Sequence, residues 1–475
     1  MANRELLQNK TNIITALIAI PITIIVALIL IKVDMVYALT AALSLGVLIV
    51  TFINTDFAIY TLIFSMLLSP EIGSRTTHGE GVTIRIDDIL LVIIIFTWLA
   101  KTAINKDLGL FRKTPLNKPI AYYIFFCFFT TGIGMLLGHV KPINGLFFVL
   151  KYIEFFLVYF MVVNQINSKK QIDNFSIAML VTFVIVTIVA ILQIPSGKRL
   201  SAPFEGDAGE PNTLGGYLIF IIAINLSLVL TPGILPSPKF RRNLLLITAV
   251  SFFPFLLTNS RGSWAAAIPV VIGYIILSKR RWMIIGYLAV LLLLAPFILP
   301  KAVVDRARYT FQEQQGYART LQENVGGITL DTSASERVRS WKDAWSGVKK
   351  SPIFGYGITG WRFLDAQYMR VLIESGFIGL GFFIYMLYAV LHETWKVSKN
   401  AKIPIFKYLA QGFFIATIAM MVHGLGANTF IIIRIMEPYW LVCGLVMSIP
   451  AVEEIETQKL KELEEEVSKV KLGIV

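Results

Sequence analysis

Two groups of arginine residues, each close to glycine and aromatic residues, are the strongest candidates for chemistry in this sequence. Arg261 lies within residues 258–264, where polar side chains interrupt two apolar stretches, and Arg337 and Arg339 precede Trp341. A guanidinium group keeps its charge and binds phosphate oxygens in a planar, bidentate manner. These arginines therefore predict a diphosphate ligand. The alternatives are an Arg261 side chain that reaches the lipid headgroups and a basic loop that touches anionic lipid.

Small residues beside these arginines are expected to shape the ligand site. Gly262 lets the backbone turn, and Ser263 is a candidate cap for the helix that follows, whose N-terminus attracts anions. Gly355 and Gly357 flank Tyr356 and permit a close approach of the backbone to a ligand. We therefore expect these residues to line the substrate site.

Carboxylates near the arginines are the candidates for proton transfer. Asp365 is expected where a long loop re-enters an apolar region, either as a general base or as the partner of an arginine. Glu374 follows Arg370 by four residues, so the spacing favours an ion pair. Glu210 and Asn212 precede a span and are candidate substrate-binding residues, with Asn212 as a helix N-cap. The alternative for both is a solvated, capped helix start.

No motif of a soluble enzyme is present. The sequence lacks a Gly-rich phosphate loop, an HExxH pair, a CxxC pair and a nucleophile elbow. The four histidines are scattered, and Cys127 and Cys443 lie inside apolar stretches. We therefore expect no metal site, no disulfide framework and no cofactor.

The composition indicates which elements position these residues. Of 475 residues, 56% are hydrophobic and 15% are charged, and the mean hydropathy is +0.70. A soluble domain carries roughly 25% charged residues, so an ordinary soluble enzyme and a disordered chain are excluded. The net charge of +13 comes from short basic clusters between apolar runs, which indicates orientation in a bilayer and not binding to nucleic acid. We predict an all-α, polytopic membrane helical bundle with one large, partly helical loop.

Fourteen apolar runs are candidate membrane spans, and twelve to fourteen spans are expected. They lie near residues 12–32, 36–53, 56–69, 87–104, 119–138, 145–165, 174–195, 213–232, 243–258, 262–278, 283–299, 367–391, 408–427 and 435–451. The chain then divides into N-terminal helices (1–299), a large loop (300–366), C-terminal helices (367–451) and an amphipathic tail (452–475). No cleavable signal peptide is evident at the first run.

Short loops rich in Lys and Arg predict that both termini are cytoplasmic in a plasma-membrane protein. On this topology segments 70–86, 196–212, 258–262 and 300–366 lie on the outer face. The longest segment has ten Lys/Arg and six Asp/Glu between residues 301 and 364, together with several tryptophans, so we expect it to fold. The candidate arginines would therefore meet on the outer face of the membrane.

A transporter or flippase is the alternative from another class. Lys151 and Glu154 lie within one apolar run, and ionisable residues inside spans often mark translocation pathways. Their spacing of three residues also allows them to pair on one helix face. No repeated halves are evident. A scaffold without activity is a third alternative.

Five short segments, taken in order, resemble the O-antigen ligase and O-antigen polymerase family of bacterial membrane proteins. They are residues 210–215 (EPNTLG), residues 260–262 (SRG), the pair Arg337 and Trp341, residues 352–357 (PIFGYG) and residues 374–380 (ESGFIGL). Together they cover about residues 200–390.

The resemblance implies a membrane glycosyltransferase architecture and a metal-independent transfer of glycan from a polyprenyl diphosphate-linked oligosaccharide to a glycan or glycolipid acceptor. Arg261 and Arg337 would hold the donor diphosphate, with Arg339 in a lesser role. Ligases of this family usually carry a histidine, often followed by Asn, where this sequence has Asp365, Ala366 and Gln367. The difference favours a polymerase over a ligase. The bilayer is a further partner, and a chain-length regulator is a candidate partner.

Overall fold

The computed structural model describes residues 45–72, 84–104, 112–205, 209–278, 280–298, 300–309, 323–325, 328–329 and 331–471. The predicted span near 12–32 and the expectation about a signal peptide lie outside these residues. Half of the span near 36–53 and most of segment 70–86 lie outside them too.

Within these ranges the chain forms helices and two antiparallel pairs of two-residue strands. In chain order the elements are α1 (Thr55–Leu68), β1 (Glu71–Ile72), β2 (Ile84–Arg85), α2 (Ile86–Ile104), α3 (Asn117–Leu136), α4 (Pro142–Gln165), α5 (Lys169–Gln193), α6 (Pro211–Leu230), α7 (Pro238–Leu257), α8 (Arg261–Leu277), α9 (Arg281–Ile298), α10 (Lys301–Tyr309), β3 (Asn324–Val325), β4 (Ile328–Thr329), α11 (Thr332–Lys350), α12 (Gln367–Asn400), α13 (Pro404–His423) and α14 (Ile433–Lys471).

The predicted all-α membrane class is confirmed. Among the described residues, eight helices are long and apolar enough to cross a membrane, namely α3, α4, α5, α6, α7, α12, α13 and α14. Helices α1, α8 and α9 are shorter and apolar, and α2 carries Asp87, Asp88 and Lys101 in its 19 residues. Each predicted span from 56–69 onward therefore coincides with an apolar helix. The number of helices that cross the membrane stays a prediction.

Helices α6 and α14 form the centre of the bundle. In each of them 83% of the apolar stretch is buried, against 28% for α7. Helix α6 packs against α7, α8 and α13, and α14 packs against α1, α4 and α12. A Cβ atom at Gly412 of α13 would lie 2.9 Å from the Cα atom of Ile224 in α6, so the two backbones are in close contact. This packing fixes the ends of α6, α8 and α13 relative to one another.

Helix α12 is broken at Gly376, whose backbone has φ 67° and ψ −172°. A break leaves carbonyl groups without partners inside the helix. Here the N–H of Tyr356 donates to the carbonyl of Ile373 at 3.0 Å, and the N–H of Gly357 donates to that of Glu374 at 2.8 Å. The end of the large loop is therefore bound to the break in α12.

The large loop is partly helical, as predicted. Its described residues contain α10, the strands β3 and β4, and α11. Helix α11 packs against α12, where Ala344 and Val348 form a small apolar cluster with Leu364, Leu372 and Ile373. The contact with α12 fixes the position of α11.

The predicted tail is helical but not separate from the last span. Helix α14 runs on from the apolar stretch to Lys471. Glu453 accepts hydrogen bonds from the N–H groups of Lys402 and Ile403, both at 2.8 Å. The first part of the tail therefore holds the turn between α12 and α13.

Candidate active site

Arg261 is the first residue of α8, and the preceding residue caps that helix. Ser260 is the N-cap, and its Oγ accepts the N–H of Ser263 at 3.2 Å. The prediction of Ser263 as the cap is therefore wrong by one helical turn. Nη1 of Arg261 lies 2.9 Å from Oδ2 of Asp331, the N-cap residue of α11. Arg261 is thus held at the start of α11.

Arg337 lies in the second turn of α11 and points towards the re-entry of the loop. Its Nη2 is 3.0 Å from Oδ2 of Asp365, and the side chains are 27% and 37% exposed. Asp331 and Arg337 are six residues apart, about 9 Å along the helix axis. The structure thus brings Arg261 and Arg337 to the same end of α11. Asp365 is the partner of an arginine, one of the two roles that the sequence left open.

A third arginine, Arg199, joins this region from the loop between α5 and α6. Its Nε donates to the carbonyl of Thr258 at 3.3 Å, and its Nη2 donates to that of Asn259 at 3.1 Å. Asn259 is two residues before Arg261. The guanidinium of Arg199 is therefore fixed beside the start of α8. Sequence reasoning did not single out Arg199, because nothing near residue 199 predicts that it contacts residues about sixty positions away.

The charge on Arg199 responds to three other arginines. Partial burial lowers the pKa of its guanidinium, and the positive charges of Arg306, Arg261 and Arg337, in that order, lower it further. Arg306 is on α10 and was also missed from the sequence. We call Arg199, Arg261, Arg306 and Arg337 the arginine cluster. Such a group of like charges is typical of a site for a multiply charged anion.

A chain of polar side chains lies next to the cluster and links three helices. Oγ of Ser260 donates to Oδ1 of Asn212 at 2.7 Å and lies 2.7 Å from Oγ of Ser263. Ser263 is 3.1 Å from Nε2 of His423, whose Nδ1 is 2.7 Å from Oγ1 of Thr429. His423 is fully buried. This chain fixes the start of α8 against the start of α6 and the end of α13.

The start of α6 differs from the prediction. Glu210 is the N-cap residue and its side chain makes no capping bond, so the prediction of Asn212 as the cap is wrong. Oε2 of Glu205 accepts the N–H groups of Ala202 and Glu210 at 3.3 and 3.0 Å. Glu205 therefore organises this loop. Asn212 reaches the start of α8, which keeps it beside the cluster.

The residues that flank Asp365 are anchored to the turn between α13 and α14. Nδ2 of Asn428 donates to the carbonyl of Leu364 at 2.6 Å. The N–H of Phe430 donates to Oε1 of Gln367 at 2.9 Å. Asp365 lies between these two anchors, so its carboxylate is presented to Arg337 from a fixed backbone.

Residues 355–357 make a close approach, but to protein. Gly355 and Gly357 have φ values of 67° and 87°. A Cβ atom at Gly355 would lie 2.6 Å from the backbone of Glu374. The Tyr356 ring packs 4.8 Å from that of Trp361. This backbone thus makes a close contact with α12, and its predicted contact with a ligand stays a prediction.

Two ion pairs were considered from spacing. The pair of Arg370 and Glu374 is confirmed, with Nε 3.2 Å from Oε1 and both side chains buried. Nζ of Lys151 lies 3.2 Å from Oδ2 of Asp88, on α2, so Lys151 has an ion-pair partner on a neighbouring helix. A contact of Lys151 with Glu154 stays a prediction.

Arg339 and Trp341 lie on α11 beside the cluster. Nε of Arg339 is 3.3 Å from Oε1 of Glu323, and Nζ of Lys342 is 2.7 Å from Oε2. The hydrogen bond from Lys342, with help from Arg339, lowers the pKa of the Glu323 carboxyl. Trp341 is 39% exposed. An apolar recess of about 200 Å³ is lined by Trp341, Ala366, Tyr368, Met369, Gly424 and Leu425.

Several cavities larger than this recess lie away from the cluster. One of about 450 Å³ is lined by residues at the other end of α6, including Leu230 and Thr231. In the part of the chain that the structure describes, no group of three or more His, Cys, Asp or Glu side chains is placed to hold a metal ion. The cluster and the recess beside Trp341 are therefore the features that define this end of the bundle.

Residues 246–384 match a family model described as O-antigen ligase. The predicted resemblance is thereby confirmed over this part of the chain, which contains Arg261, Arg337 and Asp365. None of the curated proteins matches the chain. The match and the apolar helices together indicate an integral membrane protein, and they support a membrane glycosyltransferase activity of the O-antigen ligase or polymerase type.

Proposed function

We propose that this chain is a surface-polysaccharide polymerase of the plasma membrane. It moves a glycan from a polyprenyl diphosphate-linked donor to a hydroxyl of an acceptor glycan, on the outer face, with both termini in the cytoplasm. The observation that carries the proposal is the arginine cluster at one end of an apolar bundle, with Arg261 and Arg337 each held by one carboxylate. A lipid-linked diphosphate needs cations at a membrane boundary and apolar surface for its tail.

Arg261 and Arg337 bind the donor diphosphate in this mechanism. Their side chains are 18% and 27% exposed, so a ligand can reach both guanidinium groups. Phosphate oxygens join the buried carboxylate of Asp331 as partners of Arg261, and they replace the exposed carboxylate of Asp365 as partners of Arg337. Negative charge grows on the diphosphate as its bond to the anomeric carbon breaks. Fixed cations that stabilise such a developing charge are usually the largest catalytic contribution.

The acceptor completes an inverting displacement. Its hydroxyl oxygen bonds to the anomeric carbon, the polyprenyl diphosphate leaves from the opposite side, and the hydroxyl proton passes to the carboxylate of Asp365. The carboxylate of Asp365 can accept this proton once phosphate oxygens have replaced it as the partner of Arg337. Trp341 beside the apolar recess offers a surface on which a sugar ring stacks. Holding donor and acceptor together supplies the remaining rate enhancement.

A ligase that joins polymer to a lipid core is the second candidate, and the description of the matched family favours it. The polymerase is preferred because Asp365 stands where ligases usually carry a histidine. His423 does not replace that histidine, since it is fully buried and hydrogen-bonded through both ring nitrogens. Both candidates use the same donor chemistry.

The test is transfer by purified protein in lipid nanodiscs. A lipid-linked repeat unit is supplied alone, and then with a second glycolipid acceptor. Chain growth on the repeat unit alone supports a polymerase. Transfer that requires the second acceptor overturns that assignment in favour of a ligase.

The partly buried charges of Lys151 and Asp88 favour a transporter as the candidate from another class. A vesicle assay separates it from the enzyme, because a flippase moves the lipid-linked repeat between leaflets without making a glycosidic bond. Movement with no transfer in the nanodisc assay would overturn the proposal.

A further inference from the structure

Arg199 differs from Arg261 and Arg337 in the partners of its guanidinium. Each of those two is paired with a carboxylate, Asp331 or Asp365. Arg199 donates to two neutral backbone carbonyls, and among the described residues it has no carboxylate partner. Within the part of the chain that the structure describes, its positive charge is therefore not balanced by a direct ion pair.

The formal charge of the site without ligand shows why the partners of Arg199 matter. Arg261 and Arg337 together with their two carboxylates have a formal charge of zero. The leaving diphosphate is multiply charged, and it gains a further negative charge as its bond to the anomeric carbon breaks. Arg199 adds the positive charge that the two ion pairs lack, at a point fixed two residues before Arg261 along the chain.

A purely structural role for Arg199 is the simpler explanation. Its two carbonyl acceptors follow the end of α7, and a cation there stabilises the helix C-terminus. That role does not explain why the guanidinium is placed among three other arginines, where repulsion and partial burial both lower its pKa. An anionic ligand would remove this cost.

We propose that Arg199 binds the diphosphate of the lipid-linked donor directly, as a third catalytic cation beside Arg261 and Arg337. This inference rests on the proposed function. The carbonyls of Thr258 and Asn259 orient one edge of the guanidinium, and its remaining N–H groups donate to phosphate oxygens. Arg199 belongs to a loop outside the family match, so this contact would join the loop before α6 to the matched segment.

The experiment compares R199Q and R199K with the matched control R241Q. Arg241 is near the other end of α7, and its Nε also donates to a backbone carbonyl, that of Val229 at 2.9 Å. Two readouts are measured in nanodiscs. One is the rate of glycan transfer, and the other is the rise in melting temperature on addition of inorganic pyrophosphate, which needs no turnover.

We expect R199Q to weaken pyrophosphate binding by about 10-fold to 100-fold, the effect of losing a charged hydrogen bond. Its transfer rate should fall by about 10²-fold or more. R199K keeps the charge but loses the planar fork, so its pyrophosphate affinity should lie between those of wild type and R199Q. R241Q should bind pyrophosphate as the wild type does.

The outcomes separate the two proposals. If R199Q binds pyrophosphate and transfers glycan like R241Q, Arg199 is structural and this inference is overturned while the proposed function stands. If the wild type stays inactive with donor and acceptor but R199Q still weakens pyrophosphate binding, the anion site is supported and the proposed function fails.

Discussion

Arginine is used in two different ways in this molecule. Arg434 is fully buried, and it donates to the carbonyls of Leu67 and Ser69 at 3.4 and 3.1 Å. Its Nε also lies 3.9 Å from Oε1 of the buried Glu205. Arg261 and Arg337 are partly exposed, and each has one carboxylate partner. Complete burial leaves no room for a ligand at Arg434, whereas a ligand can reach the partly exposed guanidinium groups of Arg261 and Arg337. The difference separates an arginine that holds the fold from arginines that can bind a substrate.

The surroundings of Arg434 extend this comparison. Asp87 and Glu437 are also fully buried, and Glu437 has no hydrogen-bond partner among the described residues. Arg434 and these carboxylates form the buried charged cluster. Removing one member would leave its neighbours without compensation in an apolar surrounding. We therefore expect substitutions there to act on folding, and substitutions in the arginine cluster to act on transfer.

The largest effect is expected from Arg434→Met. Loss of one partner from a buried ionic group costs roughly 3–5 kcal/mol. The protein should melt at a much lower temperature in detergent and give little monodisperse material. Arg241→Met is the control, because it removes a single hydrogen bond from a guanidinium to a carbonyl, worth about 1.5–3 kcal/mol, and breaks no ion pair among the described residues. If a variant of Arg434 melted normally but no longer transferred glycan, the buried charged cluster would have to be assigned to the active site.

Arg337→Lys should abolish most activity without affecting the fold. Lysine keeps the charge but loses the bidentate geometry, and losing a preorganised donor costs about 10²–10³-fold in rate. Arg362→Lys is the matched control, since Arg362 pairs with Asp343 at 2.7 Å in the same loop region. Equal activity of the two lysine variants, measured as chain growth, would remove Arg337 from the mechanism.

Much of this comparison was accessible from the sequence. Arg261 and Arg337 were found because each is a charged residue beside glycine or tryptophan at the edge of an apolar run. The helices were predictable for the same reason, because apolar runs of sufficient length have few other folds in a membrane. The pair of Arg370 and Glu374 followed from a spacing of four residues.

What the sequence did not reveal depends on contacts between distant segments. Arg199 reaches residue 259, and Lys151 reaches Asp88 on another helix. The support that residues 355–357 give to the break at Gly376 is not predictable, because the break has no strong local signature. Tertiary packing decides between partners that local spacing leaves equivalent.

Asp365→Asn tests the carboxylate side of the arginine cluster. The amide retains the shape and can still accept a hydrogen bond from Arg337, but it cannot take a proton. We expect transfer to fall by about 10²-fold, which is the lower range for general base catalysis, with an unchanged melting temperature. Asp343→Asn is the control, as another ion-paired aspartate of the same region. If Asp365→Asn were fully active, Asp365 would not be a general base, and its only role would be to orient Arg337.

The smallest effect is expected from Arg339→Ala, and it sets the boundary of the cluster. Arg339 is 35% exposed and shares Glu323 with Lys342, which keeps that carboxylate paired after the substitution. An ion pair at such a surface is worth up to about 1 kcal/mol, so the transfer rate should fall by less than about fivefold. The same assay on Arg337→Ala gives the scale, because the two residues lie two positions apart on α11. If both substitutions reduced transfer equally, the distinction between Arg337 in the cluster and Arg339 at its rim would fail. The diphosphate site would then have to extend along α11 towards Trp341.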